Sequence, residues 1–245
     1  MSLTEDITAL TAEARNLVNT FNAKSAAIDA KVDTAISEMS NSNITIWVDP
    51  AGGDDSNAGM TAQTAVATPE KAITLVSGAR RAQLNLLGDV VLQKATTNHA
   101  LHVILNGVDN NGDPVDRRFR FADESVTSPQ EDGQRHPAFI GSPGNVTFDV
   151  RNVTLELPDV PDDDEWIKKV IISEGQIDFF ARSSSVEIAN SDSAVALVGS
   201  WGGPVGFWAS NLAFSDDVAG HLIEGVADGE DPNSYAHIRS NLTSA

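Results

Sequence analysis

The chain contains no cysteine. Disulfides, thiolate metal sites and cysteine nucleophiles are therefore excluded, and the absence suits a protein working where redox conditions are uncontrolled. Basic residues are scarce: 16 Lys and Arg stand against 35 Asp and Glu in 245 residues, a formal charge of −19. Such a chain repels a phosphate polyanion unless a local basic patch opposes the net charge. The pairs Arg80-Arg81 and Arg117-Arg118 are isolated in sequence, so nucleic acid is not an expected partner, and the acidity reads as a solubility device, as in a salty medium. No window approaches the roughly 18 apolar residues of a membrane span. The N-terminal MSLTEDITALTAEA has neither the basic region nor the apolar run of a targeting signal, so membrane insertion is not expected. What is present is 41% hydrophobic residues, enough for a packed core rather than wholesale disorder.

Residues 3–39 contain no Gly and no Pro and are rich in Ala, Glu, Lys, Leu and Asp, which predicts a helix. Its apolar residues Leu3, Ile7, Leu10, Ala14, Leu17 and Phe21 step by alternating fours and threes, the heptad spacing of a coiled coil. Lys24 interrupts the row and Ile28 resumes it. Val32, Ala35 or Ile36, and Met39 continue it with a shift of one residue. An amphipathic helix lying on its own domain is the alternative. The Ser-Asn linker that follows (Ser40-Asn41-Ser42-Asn43) favours self-association.

From residue 44 the period changes. Short β-branched runs follow one another: 44–48, 84–92, 101–105, 118–121, 146–150, 153–157, 170–173, 176–180, 185–188, 194–198, 205–209 and 212–215. Asn, Gly, Asp, Ser or Pro separates most of them, as expected for strands joined by turns. Tetrads with a polar first residue recur, at Asn145-Val-Thr-Phe, Asn152-Val-Thr-Leu, Ser185-Val-Glu-Ile, Asn211-Leu-Ala-Phe and Asn241-Leu-Thr-Ser. From Asn152 onward their spacings are 33, 26 and 30 residues (152 to 185, 185 to 211, 211 to 241). Such a loose period fits the stacked coils of a parallel β-solenoid with corner Asn ladders. A β-sandwich is the alternative.

The stretch IWVDPAGGDDSNAGMTAQTAVATPEKAI, residues 46–73, carries Trp47-Val48-Asp49, Gly53, Asp55, Asn57, Gly59, Ala67-Thr68 and Ala72-Ile73 in a specific order. It resembles the opening segment of right-handed parallel β-helix proteins of the pectin-lyase-like class, departing from them at Val66-Ala67-Thr68-Pro69. That resemblance implies a first strand, a turn and a short helix capping the open end of a solenoid. With the helical stretch ahead of it, which includes Glu13–Lys24, the chain resembles bacteriophage tail fibres and tailspikes. The fold implied is mainly β: an N-terminal coiled-coil helix followed by a right-handed parallel β-helix, homotrimeric. The expected domains are residues 1–40, docking on the virion, and 41–245, a β-helical body with its opening and capping segment at 44–76.

The chemistry-bearing candidates are few. Asp49, Asp54, Asp55 and Asn57, and a second loop with Asp109, Asp113 and Asp116, offer hard oxygen ligands for calcium. Asp and Asn also build turns by bonding their own backbone, and neither loop completes an EF-hand. Gly52, Gly53 and Gly59 fit no phosphate-binding spacing, so no cofactor is expected, calcium being the one weak candidate. His99 and His102 fall on opposite faces of a strand, and no catalytic residue is nominated. Asp178, Glu187 and Asp192 are carboxylates near strand ends, of the kind a glycosidase pairs. The segment GSWGGPVGFWASN, 199–211, holds Trp201, Phe207 and Trp208, either a sugar-stacking platform or aromatics packed in a core or subunit interface. The run 159–165 reads as an exposed loop. The function expected is a structural tail-fibre or tailspike protein of the virion, attached through its N-terminus to tail or baseplate proteins and contributing to recognition of host-surface glycan. A polysaccharide depolymerase, or an internal adaptor joining a further fibre subunit, are the alternatives.

Overall fold

The computed structural model describes residues 2–130 and 132–244; the side chains of residue 5 and residues 33–41 fall outside the described set. Its elements are α1 (Leu3–Asn41), β1 (Asn43–Val48), α2 (Pro69–Leu75), β2 (Arg81–Leu86), β3 (Val90–Leu92), β4 (Thr96–Thr97), β5 (His102–Gly107), β6 (Arg117–Phe121), β7 (Ile140–Ser142), β8 (Val146–Arg151), β9 (Val153–Leu157), β10 (Lys169–Ser173), β11 (Ile177–Ile188), β12 (Ala196–Ser200), β13 (Val205–Phe214) and β14 (Ile238–Ser240). The chain divides into two compact units, Met1–Ser42 and Asn43–Ala245.

The first unit is α1, 39 residues long, about 58 Å at 1.5 Å per residue. Freedom from Gly and Pro lets it run unbroken. Thr8, Thr11 and Thr20 turn their hydroxyls back onto the carbonyls four residues earlier, each at 2.8 Å, so they add no unsatisfied polar group.

The second unit is built on parallel pairing. One sheet runs β1-β2-β5-β8-β11-β9-β6-β3, with β13 beside β11 and β14 beside β13; a smaller sheet runs β12-β10-β7-β4. The long strand β11 makes the large sheet curl. Its first half, residues 177–182, pairs with β8, its second half, residues 185–188, pairs with β9, and β13 follows both halves. Asn152, Ser183 and Asn211, one on each of three neighbouring chain segments, have φ of 51°, 49° and 62°. These left-handed residues lie level in the register, and each turns its chain between the two halves. Asn tolerates this conformation better than most L-residues.

The result is a parallel-strand sheet curled into a half-barrel, with two α-helices among the described residues, an α/β-type arrangement. It corrects the expected N-terminal coiled coil followed by a right-handed parallel β-helix. The β-sandwich alternative fails too, because every ladder between named strands is parallel. The expectation erred by treating recurring tetrads as equal repeats. The register actually steps unevenly, from Arg81 to His102 and from His102 to Thr147. The bends also fall inside continuous β-structure, so runs read as separate strands, 176–180 with 185–188 and 205–209 with 212–215, are β11 and β13.

Alternation assigns the faces. Ala82, Leu84, Val103, Leu105, Phe148, Val150, Ile177, Phe179, Ala181, Val205 and Phe207 point inward and are buried, and the core runs continuously along the stacked strands. The opening loop is pinned to this core by backbone pairing. Trp47 N–H donates to Gly59 O, and Asp49 N–H to Val66 O. A Cβ on Gly53 would stand 2.4 Å from Val66 O, so only glycine fits there. Thr68 then caps α2 by accepting from Lys71 N–H, with Pro69 in the first turn. Ala72 and Ile73 of α2 are buried, and Glu70 accepts a hydrogen bond from Gln93 N–H at 2.5 Å.

Candidate functional site

The outward face of β2, β5, β8, β11 and β13 brings charged, amide and aromatic side chains together. Register aligns three outward rows. One is Arg81–His102–Thr147–Asp178–Gly206–Arg239. The next is Gln83–Ile104–Asp149–Phe180–Trp208, and the third Asn85–Asn106–Arg151–Arg182–Ser210.

Asp149 lies at the centre. It is 1% exposed although it points away from the core, because its neighbours fold over it. Arg151 donates to its Oδ2 through Nε at 3.1 Å and, more closely, through Nη2. Arg182 Nε stands 3.3 Å from Oδ1 and His102 Nε2 4.0 Å from Oδ2. Asp149 Oδ1 and His102 Nε2 are buried without a hydrogen-bond partner. Burial is the largest influence on His102 and holds its pKa below the ordinary histidine value; Arg81, Arg151 and Arg182 push the same way, against the pull of Asp149. The hydrogen bond to Asp149 raises the pKa of Arg151. A buried carboxylate thus hydrogen-bonds one guanidinium, that of Arg151, and stands within ion-pair range of a second, that of Arg182.

Beside it, Phe180 and Trp208 stack with ring centroids 6.5 Å apart and planes at 22°. The Arg182 guanidinium lies over Phe180, 5.5 Å from the ring centre. On the other flank an amide ladder runs from Asn152 to Asn106 at 3.3 Å and from Asn106 to Asn85 at 3.4 Å. Asn241 closes the last rung differently: its side chain accepts from Ala209 N–H at 2.8 Å and donates to Ala209 O at 2.7 Å, taking the place of a strand.

The aromatic candidates from 199–211 separate. Phe207 is fully buried and stacks on Phe179 at 5.1 Å, so it belongs to the core. Trp208, the next residue, is 37% exposed on the outward face. Trp201 is 55% exposed and sits just past β12, where Lys169 Nζ lies 5.5 Å from its ring. That lysine is itself buried and held by both oxygens of Glu224 at 2.7 Å. Along α1, Leu3, Ile7, Leu10, Ala14, Leu17, Phe21, Ile28 and Val32 are all exposed, as is Val18 beside them. Ala35, Ile36 and Met39 lie outside the described side chains.

The oxygen-rich loops spend their oxygens on backbone. Asp49 Oδ1 accepts from Ala51 and Gly52 N–H, and Asp54 Oδ1 from Ser56 N–H, which lowers the Asp54 pKa. Asp55 accepts from Ala67 N–H, Thr68 N–H and Thr68 Oγ1 at 2.8, 3.0 and 2.7 Å. Asn57 donates to Ala65 O. In the second loop Asp109 Oδ1 accepts from Asn111 and Asp113 N–H, and Asp116 accepts from Thr154 Oγ1. Among the described residues no group of three or more His, Asp or Glu converges on a metal position. Asp178 and Glu187 stand toward opposite ends of β11; Asp178 accepts from Gln176 and Glu187 pairs with Arg118. Asp192 lines a separate cavity of about 430 Å³ with Asp162, Lys168, His221 and Glu224.

Sequence reasoning missed Asp149, Arg151, Phe180 and Arg182. One signal was present: Val-Thr-Phe-Asp-Val-Arg at 146–151 alternates, so Asp149 and Arg151 share the outward face. That Arg182 and Phe180 lie beside them depends on register, which no local pattern contains. Comparison with known protein families, with curated proteins and with solved structures finds no match for this chain.

Proposed function

We propose that this chain is a structural attachment protein of the bacteriophage tail-fibre or tailspike kind, carried on the virion. In this reading α1 joins copies of the chain into a homotrimer and docks them on tail or baseplate proteins, while the β-rich unit faces the host surface. The observation that carries it is the apolar row of α1. Seven large side chains from Leu3 to Val32 stand about half to three-quarters exposed, at heptad spacing as far as Ile28. Exposed apolar residues are ordinary when scattered, but a row of them, here broken only at Lys24 among its described positions, marks an interaction surface. A helix this long draws its stability from packing of such a face rather than from propensity. From Leu3 to Phe21 the row keeps its heptad register and is suited to other copies of the same helix.

Sedimentation of the intact protein at micromolar concentration tests the reading. A trimer is expected, and Leu17→Glu with Phe21→Glu is expected to give monomers with an unchanged β-rich unit. Because the chain has no cysteine, Leu10→Cys supplies a single thiol, and oxidation is expected to trap covalent dimers. A wild-type chain that sediments as a monomer overturns self-association. Antibody labelling that never decorates phage tails overturns the virion role.

A further inference from the structure

We propose that the outward face around β8, β11 and β13 binds an acidic polysaccharide, with Trp208 stacking on a sugar ring and Arg182 receiving a carboxylate. This rests on the attachment reading and names the ligand class of its body. Three independent features point to it.

The first is local charge. The three outward rows bring together Arg81, Arg151, Arg182 and Arg239 against two carboxylates, Asp149 and Asp178, on a chain of formal charge −19. A local excess of arginine on an acidic chain favours an anion at this face. The second is preorganisation. Asp149, buried at the foot of the face, engages Arg182 through Nε at 3.3 Å, and the guanidinium also rests on Phe180. The side chain is half-exposed, and a guanidinium is the group that takes a carboxylate through two parallel hydrogen bonds. The third is the platform. Phe180 supports one side of Trp208, and on the other side β14 ends at Ser240, with Asn241 turned onto the backbone of Ala209, so the ring stays 37% exposed. Between Asp178 and Arg239 the register places Gly206, where a Cβ would come within 2.2 Å of Asp178 Oδ1 and 3.0 Å of Trp208 Nε1. Only glycine there lets the Asp178 carboxylate and the Trp208 indole N–H close over the strand, which fixes the ring in place.

A nucleic acid carries negative charge and flat rings too. It is disfavoured because its affinity needs many phosphate contacts along an unbroken basic track, whereas here only Arg182 and Arg239 lie on the strands next to Trp208, and Asp149 and Asp178 interrupt the rows.

Titration of the intact protein with polygalacturonate oligomers, their carboxyl-reduced neutral counterparts and a single-stranded oligonucleotide decides the matter. The acidic oligomer is expected to bind at least tenfold more tightly than either of the others. Trp208→Ala and Arg182→Gln are each expected to weaken binding about tenfold or more with the unfolding midpoint kept within a few degrees. Trp201→Ala, on the other sheet, is expected to leave binding unchanged. Equal binding of the neutral oligomer, tighter binding of the oligonucleotide, no binding of polygalacturonate, or equal sensitivity to Trp201→Ala overturns the proposal. So does Trp208→Ala shifting the oligomeric state instead of the affinity, since the ring is then an interface residue. A trimer that binds none of the probes defeats this inference and spares the attachment reading; a monomer that binds through Trp208 does the reverse.

Discussion

Replacing Phe207 with Ala, and separately its neighbour Trp208, tests the face assignment on which both the core and the proposed binding face depend. Phe207 is fully buried and stacked on Phe179 at 5.1 Å with planes at 25°. Truncating a buried Phe to Ala costs about 3–5 kcal/mol through lost transfer energy and the cavity left behind. The stacked pair contributes about 0.5–1.5 kcal/mol beyond its area, which places the expected loss in the upper part of that range, about 4–5 kcal/mol. Trp208 is the larger residue, yet it stands on the outward face with one aromatic neighbour, so its removal is expected to cost only about 1–1.5 kcal/mol. In a domain of this size each kcal/mol moves the midpoint by about 2–4 °C. Phe207→Ala is therefore expected to lower Tm by about 8–20 °C and Trp208→Ala by about 2–6 °C. Thermal unfolding followed by near-ultraviolet circular dichroism, with urea titration to confirm an unchanged m-value, reads both. A reversed order refutes the reasoning. It would mean that β13 is displaced by one residue, which exchanges the buried and exposed faces of the whole strand.

Asp55→Ala removes three hydrogen bonds that tie the opening loop to the start of α2, and about 2–3 kcal/mol of stability is expected to go with them. The loss should be the same with added calcium or chelator; calcium that stabilises only the wild-type chain would make the loop a metal site instead. Ser183 holds φ at 49° with an exposed side chain. An L-residue there costs about 1–2 kcal/mol, partly offset on Gly substitution by the unfolded-state entropy of about 0.5–1 kcal/mol. Ser183→Gly is accordingly expected to stabilise by about 0.5–1 kcal/mol in urea, and a loss of stability would show that the bend is set by something other than its backbone conformation. His102 takes up a proton less readily folded than unfolded, mainly through burial, so its contribution is complete above the unfolded pKa of about 6.5 and is lost as pH falls through the lower folded value. His102→Gln should flatten the decline of stability below about pH 6.5; parallel declines in variant and wild type would remove His102 as the cause.

Several parts of this structure were legible residue by residue. The helix over 3–39 followed from the absence of Gly and Pro, and α1 spans Leu3–Asn41. Runs such as 44–48, 118–121 and 153–157 lie within or upon β1, β6 and β9, because β-branched alternation is a local signal. Turn chemistry at Asp49, Asp54 and Asp109 was likewise local, each side chain bonding a backbone N–H two residues on. The run 84–92 was read as a single strand; the chain breaks it at residues 87–89 between β2 and β3. The short strands β4, β7 and β14 carry too few residues to show a period.

The candidate site was legible only in pieces. Trp208 stood out as a rare aromatic in a Gly-rich segment, but nothing local distinguished it from Phe207, since which of two adjacent residues faces the core depends on the parity of the strand. The curl of the sheet was hidden for a related reason. Asn152, Ser183 and Asn211 differ in residue type and are unevenly spaced, and only their shared level in the register makes them one bend. What the amino-acid sequence determined by itself is what short-range physics controls: the uninterrupted helix, the alternating strands and the Asx turns. Tertiary structure alone decided that Asp149, Phe180, Arg182 and Trp208 share a surface, because parallel strands meet through long connections, and where such strands align is set by packing of the common core.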